Sequence, residues 1–298
     1  MNLLIAGTIG LDDIKTPFGK VESVLGGSSI YASLAASFFG PCGLISIAGQ
    51  DLPSGSTTML QKRGIDLKGL EMSDKTFRWS GSYEFDMNEA KTLKTELNSL
   101  QGFNPKLPEN YQQCKAVLLG NIDPIVQLKI LDQVKGDPFL VTDTMNYWIE
   151  SQPKQLRKVL ARSDVVVINE GEARQLFNTP NLIVAGRELL ALGPKYGIVK
   201  KGEHGALLFS EHKYFSAPGY PLAELKDPTG CGDSFAGGLI GYLTKTNDFS
   251  ESNLRRAIIY GSIVASFCAE EFGTGYINNI KLNDIKERYD AIKEICKF

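Results

Sequence analysis

The sequence has no long hydrophobic run and no excess of either charge. None of its apolar stretches approaches the roughly 18 residues that a membrane-spanning helix requires, and residues 1–7 lack the features of a secretion signal. Lysine and arginine total 32 and nearly balance 34 aspartate and glutamate residues, whereas nucleic-acid-binding domains are strongly basic. We therefore expect a cytoplasmic protein that binds neither membrane nor nucleic acid.

Cysteine pairs and clustered metal ligands are also missing. The five cysteines are far apart and contain no CxxC pair, which excludes a disulfide framework. The two histidines, His204 and His212, occur in no HxxxH or HExxH spacing, so the ligands of a zinc hydrolase are absent. The chain has 298 residues, of which 43% are hydrophobic, and a chain of this length buries enough apolar surface to fold without cross-links.

Several nucleotide-binding and hydrolytic motifs are absent as well. The sequence has neither the GxxxxGK[ST] pattern of a P-loop nor a GxGxxG pattern after a strand. The segment GDSFA at residues 232–236 approaches the GxSxG nucleophile elbow but ends in alanine. A serine hydrolase built on Ser234 therefore stays only a minor alternative.

Short apolar runs alternate with helix-like segments over most of the chain. The runs are almost continuously hydrophobic, as in strands that are buried on both faces of a parallel sheet. This alternation predicts an α/β sandwich with helices on both faces. The predicted strands are residues 2–6, 44–48, 116–119, 139–142, 165–168 and 197–199, and the predicted helices are residues 28–39, 53–63, 124–134, 153–161, 184–192 and 257–269.

Residues 77–86 depart from this alternation. Apolar, mostly aromatic residues occupy the odd positions and polar residues the even ones, which is the period of a strand with one apolar face. Leu93 and Leu97 continue the pattern after a polar stretch, so we predict a β-hairpin. The hairpin fits three roles, namely a lid over a pocket, a dimer surface or a segment folded onto the core.

The most informative stretch is the sequence DPTGCGD, from Asp227 to Asp233, which precedes a helix of small residues. A helix N-terminus carries unpaired N–H groups, and glycines at positions 230 and 232 let a phosphate approach them. A carboxylate beside a bound anion is electrostatically unfavourable, so its presence at this position indicates a functional role. Asp233 is positioned to accept the proton of a hydroxyl that attacks phosphorus. The structural alternative makes Asp227 and Thr229 helix caps.

This pattern, Asp-x-Thr-Gly-x-Gly-Asp before a small-residue helix, resembles the signature of the PfkB, or ribokinase-like, carbohydrate kinases. Further landmarks extend the resemblance over nearly the whole chain. It implies one kinase domain over residues 1–298, folded as a three-layer sandwich with a mainly parallel central sheet, helices on both faces and a small β lid. Residues 15–25 and 75–100 would form most of the lid, through which some family members dimerise.

The resemblance also implies where the acceptor binds. Asp12 is similar to the family's acid that hydrogen-bonds substrate hydroxyls, with Asp13 as the competing choice. Gly26, Gly27 and Ser28 open a helix and resemble the family's Gly-Gly substrate loop. From the residues alone, the acids are equally typical of a polar loop after a strand, and the glycines of a turn.

Asn169 and Glu172 resemble the family's Asn-x-x-Glu element, which positions Mg²⁺ and phosphate largely through water. Magnesium keeps most of its hydration shell, so one amide and one carboxylate are chemically reasonable. A capping box, with Asn169 as the cap and Glu172 three residues later, explains the same residues equally well.

The donor implied by the resemblance is ATP, bound in part by the segment from Lys200 to Gly205. Lys200 would reach a phosphate oxygen, although two lysines and two glycines also make an ordinary solvated turn. A monovalent cation such as K⁺ is a further candidate, beside the loop after residues 257–269. The implied nucleotide-binding residues are Lys200, Gly202, Gly205, Asp227, Thr229, Gly230 and Gly232.

The predicted reaction is phosphorylation of a hydroxyl, preferably a hydroxymethyl, on a small sugar or sugar-like substrate. Asp233 removes the proton of a hydroxyl that is held by Asp12 and Gly27. The charge on the transferring phosphoryl group is met by the amides of Gly230, Cys231 and Gly232.

Two alternatives stay open beside the sugar kinase. The family also contains nucleoside kinases, and the aromatic hairpin together with Tyr31, where the family often has Asn, would suit stacking on a base. A non-catalytic nucleotide sensor of the same fold is the other alternative. The identity of the acceptor, the phosphoryl donor and the oligomeric state are not determined by the sequence.

Overall fold

The structure, a computed structural model, describes residues 1–211 and 213–297, so His212 lies outside the described residues. Within this part of the chain the strands are β1 (Leu3–Ala6), β2 (Gly10–Thr16), β3 (Gly19–Gly26), β4 (Cys42–Gly49), β5 (Ile65–Ser73), β6 (Phe77–Tyr83), β7 (Ala90–Glu96), β8 (Ala116–Leu119), β9 (Phe139–Asp143), β10 (Val165–Asn169), β11 (Tyr196–Lys200), β12 (Ala206–Ser210) and β13 (Lys213–Ala217).

The α-helices of the same residues are α1 (Ser28–Ser37), α2 (Ser56–Lys62), α3 (Pro124–Leu131), α4 (Asn146–Ser151), α5 (Pro153–Arg162), α6 (Glu170–Phe177), α7 (Leu182–Ala191), α8 (Cys231–Thr246), α9 (Glu251–Cys268), α10 (Gly275–Asn279) and α11 (Leu282–Ile295). None of the helices in the described residues is long and apolar enough to cross a membrane.

The larger of two sheets has the strand order β13-β12-β11-β10-β9-β8-β1-β4-β5. The strands from β11 to β5 pair in parallel, and β12 and β13 add an antiparallel edge. Each of the six predicted strands is present, with ends that differ from the prediction by at most two residues. The α/β sandwich with a mainly parallel sheet is therefore confirmed.

Helices cover both faces of this sheet, because successive residues of a strand point to opposite faces. In β1, Leu3 and Ile5 pack in one core cluster with residues of α1, α8 and α9. Leu4 and Ala6 pack in a second cluster with residues of α3 and α5. The predicted helix over residues 53–63 is shorter in the structure and begins at Ser56, because the N-cap Gly55 has a left-handed backbone with φ 84°.

The second sheet is small and has the order β3-β2-β6-β7. β6 and β7 form the predicted hairpin, and β2 pairs in parallel with β6 and antiparallel with β3. The alternation predicted over residues 77–86 ends at Tyr83, and Phe85 is 97% exposed beyond it. Asp12 lies inside β2 rather than in a loop after the first strand.

Candidate active site

The glycine-rich segment leads directly into α8. Gly230 is the N-cap of this helix with φ 78°, a left-handed conformation that favours glycine, and no side chain caps the helix. The aromatic ring of Tyr31 packs on Gly230 and leaves no room for a Cβ atom there. The capping interpretation of Asp227 and Thr229 is therefore wrong. Glycine is favoured at position 230 both by the left-handed backbone and by the close contact with Tyr31.

Two backbone amides at this helix start have no acceptor. No oxygen of the described residues accepts the N–H of Gly230 or Gly232, whereas the N–H of Cys231 donates to Pro228 O at 3.1 Å. Unpaired amides at a helix N-terminus, where the helix dipole is positive, attract an anion. In this conformation Gly230 and Gly232, but not Cys231, have amides available for that purpose.

Asp233 lies in the first turn of α8 beside these amides. Its side chain is half-buried, and no cationic group of the described residues lies within 4.0 Å of its carboxylate. Burial and then the neighbouring Asp143 raise the pKa of Asp233 to about 7, while Lys200 opposes this rise. A carboxyl group that titrates near neutral pH suits general-base catalysis.

Asp227 is fully buried and holds the segment in place from within. Its carboxylate accepts the N–H of Thr229 at 2.8 Å and the N–H of Gly273, in the loop after α9, at 3.2 Å. Burial raises the pKa of Asp227 despite these bonds. Asp227 thus connects the glycine-rich turn before α8 to residues 270–275, where the predicted monovalent cation stays a prediction.

The predicted acceptor residues lie near the N-terminus of α8. Asp12 is 4% exposed, and its carboxylate fills the space where a Cβ of Gly26 would be. Gly27 is the N-cap of α1 with φ 94°, and its amide faces Asp12. Burial, followed by the charges of Asp227 and Asp233, raises the pKa of Asp12 to about 8. These interactions bring the predicted acceptor acid and the predicted base into one site.

The structure separates Asp12 from Asp13, the competing choice. Asp13 points away from the site and accepts the N–H of Ser23 in β3 at 2.7 Å. Ser28, which was also predicted to contact substrate, is only 3% exposed; its hydroxyl donates to Asn121 O at 2.9 Å and accepts the N–H of Thr8 at 2.9 Å. Its side chain therefore connects the start of α1 to the sheet in this conformation.

On the donor side, Lys200 ends β11 and forms a buried ion pair. Its Nζ lies 3.0 Å from Oδ2 of Asp143, the last residue of β9. A Cβ atom on Gly232 would lie 2.8 Å from the same Nζ, so the ammonium group touches the first turn of α8. The structure thus places the predicted phosphate ligand beside the free amides.

Asn169 and Glu172 form the capping box that the sequence allows. Asn169 Oδ1 accepts the N–H of Glu172 at 2.8 Å, and Glu172 Oε2 accepts the N–H of Asn169 at 2.7 Å. Burial raises the pKa of Glu172 to about 7, with Lys200 lowering it and Asp143 raising it. The box leaves Glu172 Oε1 for another ligand, so the local structural role and a role near a cation are compatible.

The hairpin of the small sheet reaches over this site. Thr229 Oγ1 donates a hydrogen bond to the hydroxyl of Tyr83 in β6 at 3.2 Å. Asn88, between β6 and β7, packs against Gly202 in the turn after β11 and fills the space of a Cβ atom. Gly205 is held by the backbone of Ala217 and Gly219. The hairpin therefore contacts both the glycine-rich turn before α8 and the turn predicted to bind nucleotide.

Sequence reasoning did not find Asp143, Tyr83 or Asn88 as site residues. Asp143 had a usable signal, because it follows a buried strand directly, as Asn169 does, and the carboxyl ends of parallel strands meet at one edge of a sheet. Tyr83 belonged to the aromatic alternation of residues 77–86, which indicated that one face of the strand is apolar but not which residues that face contacts. Asn88 lies in a turn whose sequence carries no such signal.

The family of this chain follows from its sequence match. Residues 127–281 match the model of the pfkB family carbohydrate kinase, and this region contains Asp143, Lys200 and the whole DPTGCGD segment. The chain belongs to the PfkB family. A cytidine kinase of Thermococcus kodakarensis is 28% identical to this PfkB-family kinase over 249 residues, which cover 81% of this chain and 88% of the relative.

Solved structures agree with this assignment at the level of the fold. The nucleoside kinase of Methanocaldococcus jannaschii, of the ribokinase family, superposes with a TM-score of 0.78 at 20% identity and covers 98% of this chain and 99% of its own. The nucleoside kinase of Burkholderia thailandensis in complex with ADP-inosine superposes with a TM-score of 0.78 at 16% identity and covers 97% of this chain and 95% of its own. The ribokinase-like fold predicted from the sequence is therefore confirmed.

Proposed function

We propose that this PfkB-family kinase transfers the γ-phosphoryl group of ATP to a hydroxymethyl group of a nucleoside. The observation that carries the proposal is the half-buried Asp233 carboxylate beside two unpaired amides and the Lys200 ammonium. This arrangement combines a proton acceptor with groups that stabilise negative charge, which are the two requirements of phosphoryl transfer to an alcohol.

In the proposed reaction, Asp233 takes the proton of the acceptor hydroxyl as its oxygen forms a bond to the γ-phosphorus. The bond between that phosphorus and the bridging oxygen breaks, and ADP leaves. The N–H groups of Gly230 and Gly232 and the ammonium of Lys200 meet the charge on the transferring group. Asp12 and the amide of Gly27 orient the acceptor hydroxyls. Asp233 then releases its proton to solvent.

The charges of the site fit a magnesium ion. Three carboxylates, those of Asp143, Glu172 and Asp233, interact with the single ammonium of Lys200, so negative charge exceeds positive charge before any phosphate binds. We propose that Asn169 and Glu172 hold Mg²⁺ largely through water, since this ion retains much of its hydration shell. Bound there, it would offset charge on the phosphates of ATP.

Aromatic side chains support a nucleoside rather than a simple sugar as the acceptor. In the small sheet, Trp79 pairs with Asp12, and Phe77 packs on the neighbouring Gly10. Their rings, with Tyr83, lie on the strand that contacts the glycine-rich turn before α8. A base can stack on such rings while the ribose meets Asp12. The names of the relatives, a cytidine kinase and nucleoside kinases, point in the same direction.

We further propose that the small sheet is the lid predicted from residues 15–25 and 75–100. Tyr83 contacts the turn before α8, and Asn88 contacts the turn after β11, so a lid formed by this sheet would cover the site and exclude water as a competing acceptor. Phe18, Leu93 and Leu97 on this sheet or next to it are exposed apolar side chains. They are compatible with the homodimer predicted through the lid, which stays a prediction.

An acceptor panel tests the proposed function directly. Purified protein is incubated with ATP, Mg²⁺ and one of several acceptors, which include cytidine, adenosine, inosine, ribose and fructose, and ADP release and the product mass are measured. We expect phosphorylation of at least one nucleoside. Turnover with sugars alone would support the sugar kinase predicted from the sequence, and ATP binding without turnover would support the nucleotide sensor.

The pH dependence of turnover tests the role of Asp233. Because only the ionised carboxylate accepts a proton, and its pKa is raised to about 7, we expect kcat/KM to increase with pH through this value. Below about pH 6 the rate should fall roughly tenfold per pH unit, as for one required base. The measurement is the pH profile with the best acceptor from the panel. A profile that stays flat down to about pH 5 would contradict a base with this pKa.

A further inference from the structure

Asp143 and Lys200 form an ion pair across the central sheet. β9 and β11 flank β10, and the two side chains meet above the carboxyl end of β10 with 3.0 Å between Nζ and Oδ2. The lysine side chain is 15% exposed and the aspartate side chain 5%. Asp143 Oδ1 also accepts the N–H of Thr144 at 2.9 Å, so both carboxylate oxygens are fixed.

Stability alone is a weak reason for this pair. Removing two charges from water costs much of what their attraction contributes, so apolar residues of similar volume would often stabilise the fold equally well. The ion pair instead fixes the orientation of the Lys200 side chain. A free lysine side chain rotates about several bonds, whereas this one is held with its ammonium against Gly232 at the start of α8.

The pair also decides which carboxylate Lys200 contacts. Lys200 interacts electrostatically with Asp143, Glu172 and Asp233, and Asp143 is the one that forms the hydrogen bond. Without Asp143, the ammonium would be drawn to Glu172 or to Asp233. Either contact would move it from its present position, and a contact with Asp233 would engage the proposed base.

We propose that Asp143 is a positioning residue that holds the Lys200 ammonium against Gly232, so that a nucleotide phosphate meets a cation that is already oriented. This inference rests on the proposed function, because it takes a phosphate donor to bind at the start of α8. Asp143 itself contacts no reacting atom. It acts through Lys200, and its contribution therefore disappears when Lys200 is absent.

A double-mutant cycle tests this dependence. The variants are Asp143→Asn, Lys200→Met and both together, and the readouts are the KM for ATP at saturating acceptor and the Kd for a non-hydrolysable ATP analogue from calorimetry. We expect Lys200→Met to raise the KM for ATP about 10- to 100-fold, as for one lost charge-assisted contact, and Asp143→Asn to raise it roughly 5- to 10-fold. The double variant should resemble Lys200→Met. Effects that multiply would overturn the proposal.

Asp164→Asn is the matched control. Asp164 is a partly buried carboxylate that precedes β10 at the opposite edge of the same sheet and accepts the N–H of Leu140 at 2.8 Å. Its substitution should leave the KM for ATP unchanged. If Asp143→Asn behaves in the same way, its role is structural and the proposal is wrong.

A second variant covers the case in which Asp143→Asn does not fold. Asp143→Glu keeps the charge but moves the carboxylate by one methylene, and the same cycle with Lys200→Met applies to it. We expect a KM for ATP between that of the wild type and that of Lys200→Met. A wild type that binds the ATP analogue but phosphorylates no acceptor would refute the proposed function, while the Kd values for the analogue would still test Asp143.

Discussion

Replacing Asp233 by Asn is expected to lower kcat by about two to four orders of magnitude, the range for the loss of a positioned general base. Asparagine has nearly the same shape, so the start of α8 and its unpaired amides should persist. The KM for ATP, or better the Kd for ADP, should therefore change little. The measurement combines steady-state kinetics with the best acceptor and calorimetry with ADP.

Asp284→Asn provides a matched control for this variant. Asp284 occupies the same position in the first turn of α11 that Asp233 occupies in α8, and its carboxylate accepts the N–H of Lys281 at 2.7 Å. This substitution should weaken a helix start by about 0.5–2 kcal/mol and leave kcat unchanged. Turnover of Asp233→Asn at the level of Asp284→Asn would remove Asp233 from the mechanism.

Replacing Asp12 by Asn is expected to raise the KM for the acceptor about 10- to 100-fold, because the amide cannot reproduce the hydrogen bonds that the carboxyl group makes with the acceptor hydroxyls. The KM for ATP should stay close to that of the wild type, since we propose that Asp12 contacts the acceptor and not the nucleotide. Steady-state kinetics with each substrate varied in turn separates the two constants.

The same variant should not destabilise the fold, which distinguishes it from an ordinary core substitution. Burial and the charges of Asp227 and Asp233 raise the pKa of Asp12 from 3.8 to about 8. An acid with a raised pKa in the folded state makes folding less favourable as the pH increases and the group ionises. Asp12→Asn removes this cost, so its melting temperature should equal or exceed that of the wild type, most clearly above about pH 8.

Asp13→Asn is the control for Asp12→Asn. The two acids are adjacent in β2, but Asp13 faces away from the site and accepts the N–H of Ser23. Its substitution should leave the KM for the acceptor unchanged and should not raise the melting temperature. If both substitutions change the acceptor KM equally, Asp12 has no specific role in binding the acceptor.

Much of the local structure could be read from the sequence. The parallel strands are recognisable because both of their faces are buried, so their residues are almost continuously apolar. The start of α8 is recognisable because glycine and a helix N-terminus have conformational requirements that act within a few residues. The ends of elements were predicted less accurately: α2 begins three residues after Pro53, and the aromatic strand ends at Tyr83, before Phe85.

The choice between two readings of the same residues required the tertiary structure. Asp12 and Asp13 are equivalent in sequence, but at an irregularity in the β2–β3 pairing one carboxylate lies against Gly26 and the other accepts the N–H of Ser23. The capping box of Asn169 and Glu172 was one of two interpretations, and the structure contains it. Asp227 is a buried link to Gly273, which no local pattern indicated.

By itself, the sequence determined the fold class, the glycine-rich turn before α8 and the acid beside it, because these depend on periodicity and on glycines within a short segment. Only the tertiary structure decided which charges share the site. The Asp143–Lys200 pair joins residues 57 positions apart, and the Thr229–Tyr83 hydrogen bond joins residues 146 positions apart. Such contacts depend on the order of strands in the sheet and on how the small sheet packs, which interactions between neighbouring residues do not specify.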